Sequence, residues 1–275
     1  GRPGPFSKTV TVTSNATNNP VVLKFSGTVT PKAKRPEDTY PTLLDSIRLT
    51  SNFVYFDTIY FGEVRTKKID IWNIKPVAAT ISFSNVPKHI KIVIKPSATL
   101  KPDEKGTIEI TYLSKDKNDW GYVFDNIQFV VNNKPNTNNR ITVSADIKED
   151  FAKWSPKQIE NAPVVKVDEF SYDFGSVKKG ESVKHAFTIT NAGKSELIIR
   201  KKSASCGCTL AELNKTNLKP GESTTVDAVL NTASKSGDVA TTITLITNDP
   251  KNSKVILFFR GNVIDEKALP ADDKK

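Results

Sequence analysis

The sequence predicts an all-β chain: tandem immunoglobulin-like β-sandwiches of about seven strands each, preceded by the terminal hairpin of a truncated repeat. Three observations predict it. Apolar residues alternate at strand period, turn residues recur at short intervals, and one block of sequence occurs twice.

The alternation is clearest in the second half. Val183, His185, Phe187 and Ile189 alternate with Lys184, Ala186, Thr188 and Thr190. Val226, Ala228 and Leu230 alternate with Thr225, Asp227 and Val229, and Val239, Thr241, Ile243 and Leu245 follow the same rule. A period of two in β-branched residues means strands with one face buried. Between them lie Lys179-Gly180, Ala192-Gly193, Pro220-Gly221, Ser236-Gly237 and Asn248-Asp249-Pro250, all turn chemistry. No amphipathic stretch is long enough for a major helix, and one short helical turn is expected around Thr209–Asn214.

The block at 170–263 has an earlier copy from Ile47 to Ile147. Tyr60-Phe61-Gly62-Glu63-Val64 aligns with Asp173-Phe174-Gly175-Ser176-Val177, Leu100–Glu104 with Leu218–Glu222, and Ile127–Asn132 with Ile243–Asn248. The offsets are 113, 118 and 116 residues, the drift that loop insertions produce. On this alignment the first copy is about five residues shorter across the segment matching Lys178–Ala186. A third, partial copy stands at the N-terminus, where Thr9–Asn15 and Leu23–Val29 resemble Thr242–Asn248 and Leu257–Val263.

The predicted organisation follows: residues 1–29 as the last hairpin of an incomplete repeat, 30–43 as a linker, 44–148 as the first sandwich, 149–163 as a second linker, 164–264 as the second sandwich, and 265–275 as a charged tail. The first linker, rich in Pro and charge, should be extended. In the second, Phe151 and Trp154 are bulky apolar anchors expected to pack in the crease between the sandwiches.

Composition narrows the function. The chain has 275 residues, 37% of them hydrophobic, and a net charge of +10. The basic residues are spread along it, with small clusters at Lys32–Arg35, Lys67–Lys68 and Arg200–Lys202 that lack interleaved aromatics. Nucleic-acid sites concentrate Lys and Arg and add stacking rings, so nucleic acid is not an expected partner. Apolar runs are too short for a transmembrane helix. With no Met at all, the chain is expected to be processed or truncated, which leaves room for a lipid anchor upstream.

Phe174-Gly175, Gly180-Glu181, Thr190-Asn191-Ala192-Gly193, Ser205-Cys206-Gly207-Cys208-Thr209, Pro220-Gly221-Glu222 and Thr247-Asn248-Asp249 resemble the bacterial domain-of-unknown-function family fifteen-seventy-three. Its domains are similar to the ASH, major sperm protein and PapD-like immunoglobulin folds. The resemblance covers 165–263 well and 47–147 in part, where the Cys-Gly-Cys block is missing. It implies a secreted cell-envelope protein of a Gram-negative bacterium and no established activity.

Cys206-Gly207-Cys208 is the one candidate reactive feature. Two thiols one residue apart suit a strained disulfide, a soft metal, or reduced packing in a core. His185, on the inward set of its strand, is a candidate neighbour; otherwise it is a core-edge histidine. Phosphate loops, the Gly-x-Ser-x-Gly elbow and His-Glu-x-x-His are absent. No catalytic residue, metal ligand or cofactor is therefore assigned. The expected function is a non-enzymatic envelope scaffold that contacts other envelope proteins. Two alternatives stand beside it: a redox or soft-metal module at Cys206 and Cys208, and a carbohydrate-binding accessory module. The second would show a groove lined by exposed aromatics such as Trp72, Trp120 or Trp154.

Overall fold

The computed structural model describes residues 3–31, 35–205 and 208–265. It begins with an antiparallel hairpin, β1 (Gly4–Val12) and β2 (Val21–Val29). The first sandwich follows with β3 (Thr42–Leu44), β4 (Ile47–Leu49), β5 (Phe53–Tyr60), β6 (Val64–Asn73), β7 (Ala79–Ser84), β8 (Ile90–Lys95), β9 (Thr99–Leu100), β10 (Lys105–Leu113), β11 (Gly121–Val131) and β12 (Lys134–Lys148). The second contains β13 (Val165–Val167), β14 (Ser171–Lys178), β15 (Ser182–Asn191), β16 (Leu197–Ala204), β17 (Cys208–Leu213), β18 (Asn217–Leu218), β19 (Ser223–Asn231), β20 (Gly237–Thr247) and β21 (Lys254–Ile264). The sequence suggests about seven strands per unit. The excess consists of two- and three-residue edge strands, too short to leave a periodic signal.

Strand order is the same in both sandwiches, except that β3 adds an edge strand to the first. Sheets β3-β4-β6-β10-β8 and β5-β12-β11-β7-β9 face each other in the first, and β13-β15-β19-β17 and β14-β21-β20-β16-β18 in the second. Among the described residues only β5 on β12 and β14 on β21 pair in parallel. Alternation decides what is inside. Ile69, Ile71, Ile108, Ile110, Ile127 and Phe129 fill one core; Phe187, Ile189, Val226, Leu245, Leu257 and Phe259 fill the other. Each such side chain contributes about 1.5–3 kcal/mol on burial. The two clusters are separate, and Ile246 of the second sandwich packs against the first.

The same polar devices close both units. The buried Asn73 amide donates to Val77 O (2.8 Å) and Leu100 O (3.1 Å), and Asn191 donates to Ser195 O (2.7 Å) and Leu218 O (2.8 Å). Glu104 accepts from Lys101 N, as Glu222 does from Lys219 N. Glu63 accepts from Tyr60 N, as Glu181 does from Lys178 N. The Ser114 hydroxyl donates to Glu63 O, as Thr232 does to Glu181 O.

These pairs are separated by a constant 118 positions, which corrects the sequence alignment at one place. Tyr60-Phe61-Gly62-Glu63 corresponds to Lys178-Lys179-Gly180-Glu181, not to Asp173–Val177. The apparent five-residue gap disappears. The true partner of Gly175 (φ 65°) is Asp57 (φ 53°), each the left-handed residue of a bulge against the parallel neighbour. Two Gly-bearing bends in the second unit, Gly175 and Gly180, misled the match, and in the first unit an Asp carries the conformation at the site where a Gly was sought.

Two connections also differ from expectation. The segment 35–41 is not extended throughout: Pro36–Thr39 form one helical turn, with Arg35 N donating to Asp38 Oδ2 at 2.8 Å. Thr209–Leu213, expected as a helical turn, belong to β17, which pairs with β19. Gly193 has a steric reason beyond its turn. A Cβ there would stand 2.3 Å from Val164 N and 2.5 Å from Ala162 O, because the incoming linker crosses it.

Asn73→Ala and Asn191→Ala each strand one buried carbonyl, Leu100 O or Leu218 O, and release a partly buried one in the adjacent turn. Each is expected to lower the stability of its own sandwich by roughly 2–4 kcal/mol, read as an earlier urea midpoint. An unchanged midpoint would contradict the assignment.

Candidate functional site

The two sandwiches meet in a layered stack. Phe61 lies 4.7 Å from Trp120 at 12° between planes, and the Arg200 guanidinium sits over the other side of Trp120, 4.3 Å from its centroid. Glu149 Oε2 accepts from Arg200 Nη2 (2.7 Å) and Nε (3.0 Å). A planar guanidinium can stack and pair at once, which an ammonium cannot. Lys201 pairs with Asp119 at 2.9 Å, and the Ile246 side chain rests on Gly121. Phe151 and Trp154 form an edge-to-face pair at 5.1 Å, and Trp154 lines a cleft with Phe61, Trp120, Glu149 and Arg200. The linker α-helix Pro156–Glu160 is closed by a Ser155–Gln158 capping box.

Beside this stack a second cleft of about 490 Å³ opens between the sandwiches. Tyr55, Tyr122 and Asp146 line it from the first, and Ser203, Thr244 and Lys254 from the second. Tyr55 and Tyr122 belong to the outer face of the β5-β12-β11 layer. Register puts Phe53, Thr142 and Asn126 in one row of that face, Tyr55, Ser144 and Phe124 in the next, and Thr58, Asp146 and Tyr122 in the third. Four rings therefore stand on one solvent face, exposed by 50% (Phe53), 41% (Tyr55), 58% (Tyr122) and 61% (Phe124).

Sequence reasoning missed these rings because Val54, Phe56 and Val123 beside them are also apolar. The alternation that marks an inner face is blurred when the outer face is aromatic. The signal was present as two aromatic pairs at i, i+2 spacing. The tryptophans named in the sequence do other work. Trp72 donates to Asp103 Oδ1 (2.7 Å) and lies against Tyr40, Trp120 is buried in the stack, and Trp154 lines the junction.

A polar cluster lies inside the first sandwich. Asp125 accepts from Lys117 Nζ through both oxygens (2.8 and 3.0 Å) and meets His89 Nε2 at 2.9 Å. Burial pushes the Asp125 carboxyl up, but the His89 and Lys117 hydrogen bonds and charges outweigh it and hold the group below its usual range. The adjacent Tyr112 is fully buried, with its hydroxyl unpartnered among the described residues. Burial raises its pKa strongly, and the Asp125 and Asp119 charges add to this. Nothing local in the sequence marks His89, because its partner Asp125 is 36 positions away.

His185 lies 3.8 Å above the Tyr172 ring and edge-on to Phe187. Its Nε2 is 2.7 Å from Glu169 Oε1 without the alignment of a hydrogen bond. Cys206 lies outside the described residues, and Cys208 is described by its backbone, which pairs with Leu230. His185 pairs with Ala228 on the opposite edge of the same β19 strand. Two strand spacings, about 10 Å, therefore separate the His185 strand from the Cys208 strand. The backbone does not place them side by side. Among the described residues no cluster of three His, Cys, Asp or Glu side chains is arranged to hold a metal, and no helix is long and apolar enough to cross a membrane.

The molecule is thus an all-β protein of two like sandwiches with a stiffened junction. Residues 165–263 match the model of the family described as "Protein of unknown function (DUF1573)", so the expected resemblance stands for the second sandwich. A protein of unknown function from Porphyromonas gingivalis W83 is similar at a TM-score of 0.55 and 17% identity, over 79% of this chain and 99% of that one, which shows the shared fold. The ASH/PapD-like domain of human CEP192 is similar at 14% identity and a TM-score of 0.29, over 37% of this chain and 85% of that one. The CupB2 chaperone of Pseudomonas aeruginosa is similar at 10% identity and a TM-score of 0.27, over 76% of this chain and 98% of that one. No curated protein matches the chain.

Two outcomes are expected. Arg200→Ala should remove the stack and leave Glu149 unpaired, raising the radius of gyration in solution scattering and speeding tryptic cleavage between 149 and 163. An unchanged profile would show that the junction is held by other contacts. In acid, the Asp125 pairing contributes fully above the unfolded carboxylate pKa of about 4 and is lost as pH falls through the lower folded value. The melting temperature of the wild type should therefore fall more steeply below about pH 4 than that of Asp125→Asn, which starts lower at neutral pH.

Proposed function

We propose that this chain is a non-enzymatic interaction scaffold of the Gram-negative cell envelope, working outside the cytoplasm to hold partner proteins in fixed relation. The observation that carries the reading is the undocked face of the N-terminal hairpin. Cross-strand partners share a face, so Phe6, Val10, Val12, Val21, Leu23, Phe25 and Val29 stand together on one side of β1 and β2, and all are exposed. The other side is mainly Ser, Thr and Lys.

Two strands alone are marginal in water, and an apolar face of this size seeks cover. The register strengthens the point. Thr9 pairs with Lys24 as Thr242 pairs with Phe258, and Gly4 with Val29 as Gly237 with Val263. In β20 and β21 the matching face is core: Val239, Ile243, Leu245, Leu257 and Phe259 are buried. The hairpin carries the pattern of a strand pair that belongs inside a sandwich. The stacked junction supports the scaffold reading further, because a stiff pair of modules transmits position.

The test compares wild type with Val10→Lys/Leu23→Lys in pull-downs from envelope extracts, with fractionation to locate the protein. The variant is expected to lose the captured set. Equal capture by both would remove the hairpin from the binding surface, and a cytoplasmic pool would overturn the envelope assignment.

A further inference from the structure

We propose that the ring-bearing face of the first sandwich, with the cleft it borders, is a binding site for a polysaccharide strand. Three features of the structure point there, and none involves the hairpin.

The first is that the fold does not ask for these rings. The positions of the second sandwich that match Phe53, Tyr55, Tyr122 and Phe124 are Ser171, Asp173, Asp238 and Ala240, in the same sheet layer and the same register. At these four positions the same framework is built with polar and small residues, and the one ring in those rows, Phe258 beside Ser171, stands alone among the described residues. A half-exposed ring saves less in folding than a buried one, since about half of its surface stays wet. Four on one face form a patch of the kind that marks a binding surface.

The second is the chemistry of the face. Its rings are interleaved with Thr58, Asn126, Thr142, Ser144 and Asp146. A protein-docking core is depleted of charge and packed with aliphatic as well as aromatic groups. Here flat apolar rings alternate with short hydroxyl, amide and carboxylate groups. Pyranose rings have the complementary character, with an apolar C–H face for stacking and a rim of hydroxyls for hydrogen bonds. The Ser144 hydroxyl, between Tyr55 and Phe124, belongs to a residue only 1% exposed and has no hydrogen-bond partner among the described residues. A buried hydroxyl left without a partner calls for one. A sugar hydroxyl entering between the two rings would supply it.

The third is continuity. Tyr55 and Tyr122, with ring centroids 6.4 Å apart, mark where the face runs into the cleft of about 490 Å³. That volume lies in the range of small-ligand sites. The far wall adds Ser203, Thr244 and Ser253, and Lys254, which has no ion-pair partner among the described residues. A strand of several sugars laid along the rings would end in a polar cleft whose width the Arg200 stack fixes.

The experiment is affinity electrophoresis in native gels containing hydroxyethylcellulose, laminarin, dextran, polygalacturonate or alginate. Wild-type protein is expected to be retarded by at least one polymer. Tyr122→Ala/Phe124→Ala, which leaves the charge unchanged, should bind that polymer about tenfold or more weakly. Because acidic polymers attract a chain of charge +10, the comparison at constant charge separates stacking from Coulombic retention. Circular dichroism and an unchanged melting temperature confirm that the variant folds, and a change in tryptophan fluorescence on titration with the retarding polymer, lost in the ring variant, is a second readout. The hairpin variant should be retarded like wild type, so the two readings fail independently. Absence of retardation in all five gels overturns the proposal. So does equal retardation of wild type and the ring variant, and so does capture of a protein through Tyr122 and Phe124 in place of any polymer.

Discussion

The geometry of this protein depends on one stack. The Arg200 guanidinium sits over Trp120, which lies flat on Phe61, and Glu149 holds the guanidinium through Nε and Nη2. Each sandwich has its own core, so their relative placement rests on this contact with the smaller ones beside it, Ile246 on Gly121 and Lys201 on Asp119. Inter-domain contacts within one chain are commonly small and polar, and relative motion is then the default. Here a partly shielded charge is held against a ring, and the pair is stronger for being partly out of water. The linker helix and the Phe151–Trp154 pair close the same side.

Much of the fold was legible because burial writes a period into the sequence. Val226, Ala228 and Leu230 are inside, as their alternation implied. Turn signals at Lys179-Gly180 and Pro220-Gly221 fall between strands. What was illegible had local physical causes. The left-handed bulge position is filled by Asp57 in one unit and Gly175 in the other, so residue identity hid an equivalence that hydrogen bonds reveal. Edge strands of two or three residues are too short for any period.

The candidate site was less legible than the fold. Phe53, Tyr55, Tyr122 and Phe124 look like core in sequence, and only register turns them outward. His89 and Asp125 are 36 positions apart and meet because β8 and β11 bring their sheets together. His185 is a different case: a whole strand, β19, stands between its own strand and the β17 backbone, a separation that facing direction alone does not reveal.

The bulged strands β5 and β14 have one more effect. Each is the outer member of its layer, and each breaks its ladder after three residues. An interrupted, twisted margin is a poor template for another polypeptide. The hairpin at the other end has an unbroken nine-residue ladder and no such interruption. Edge-to-edge pairing through β5 or β14 is therefore disfavoured, while the hairpin margins keep a regular ladder that another strand could extend.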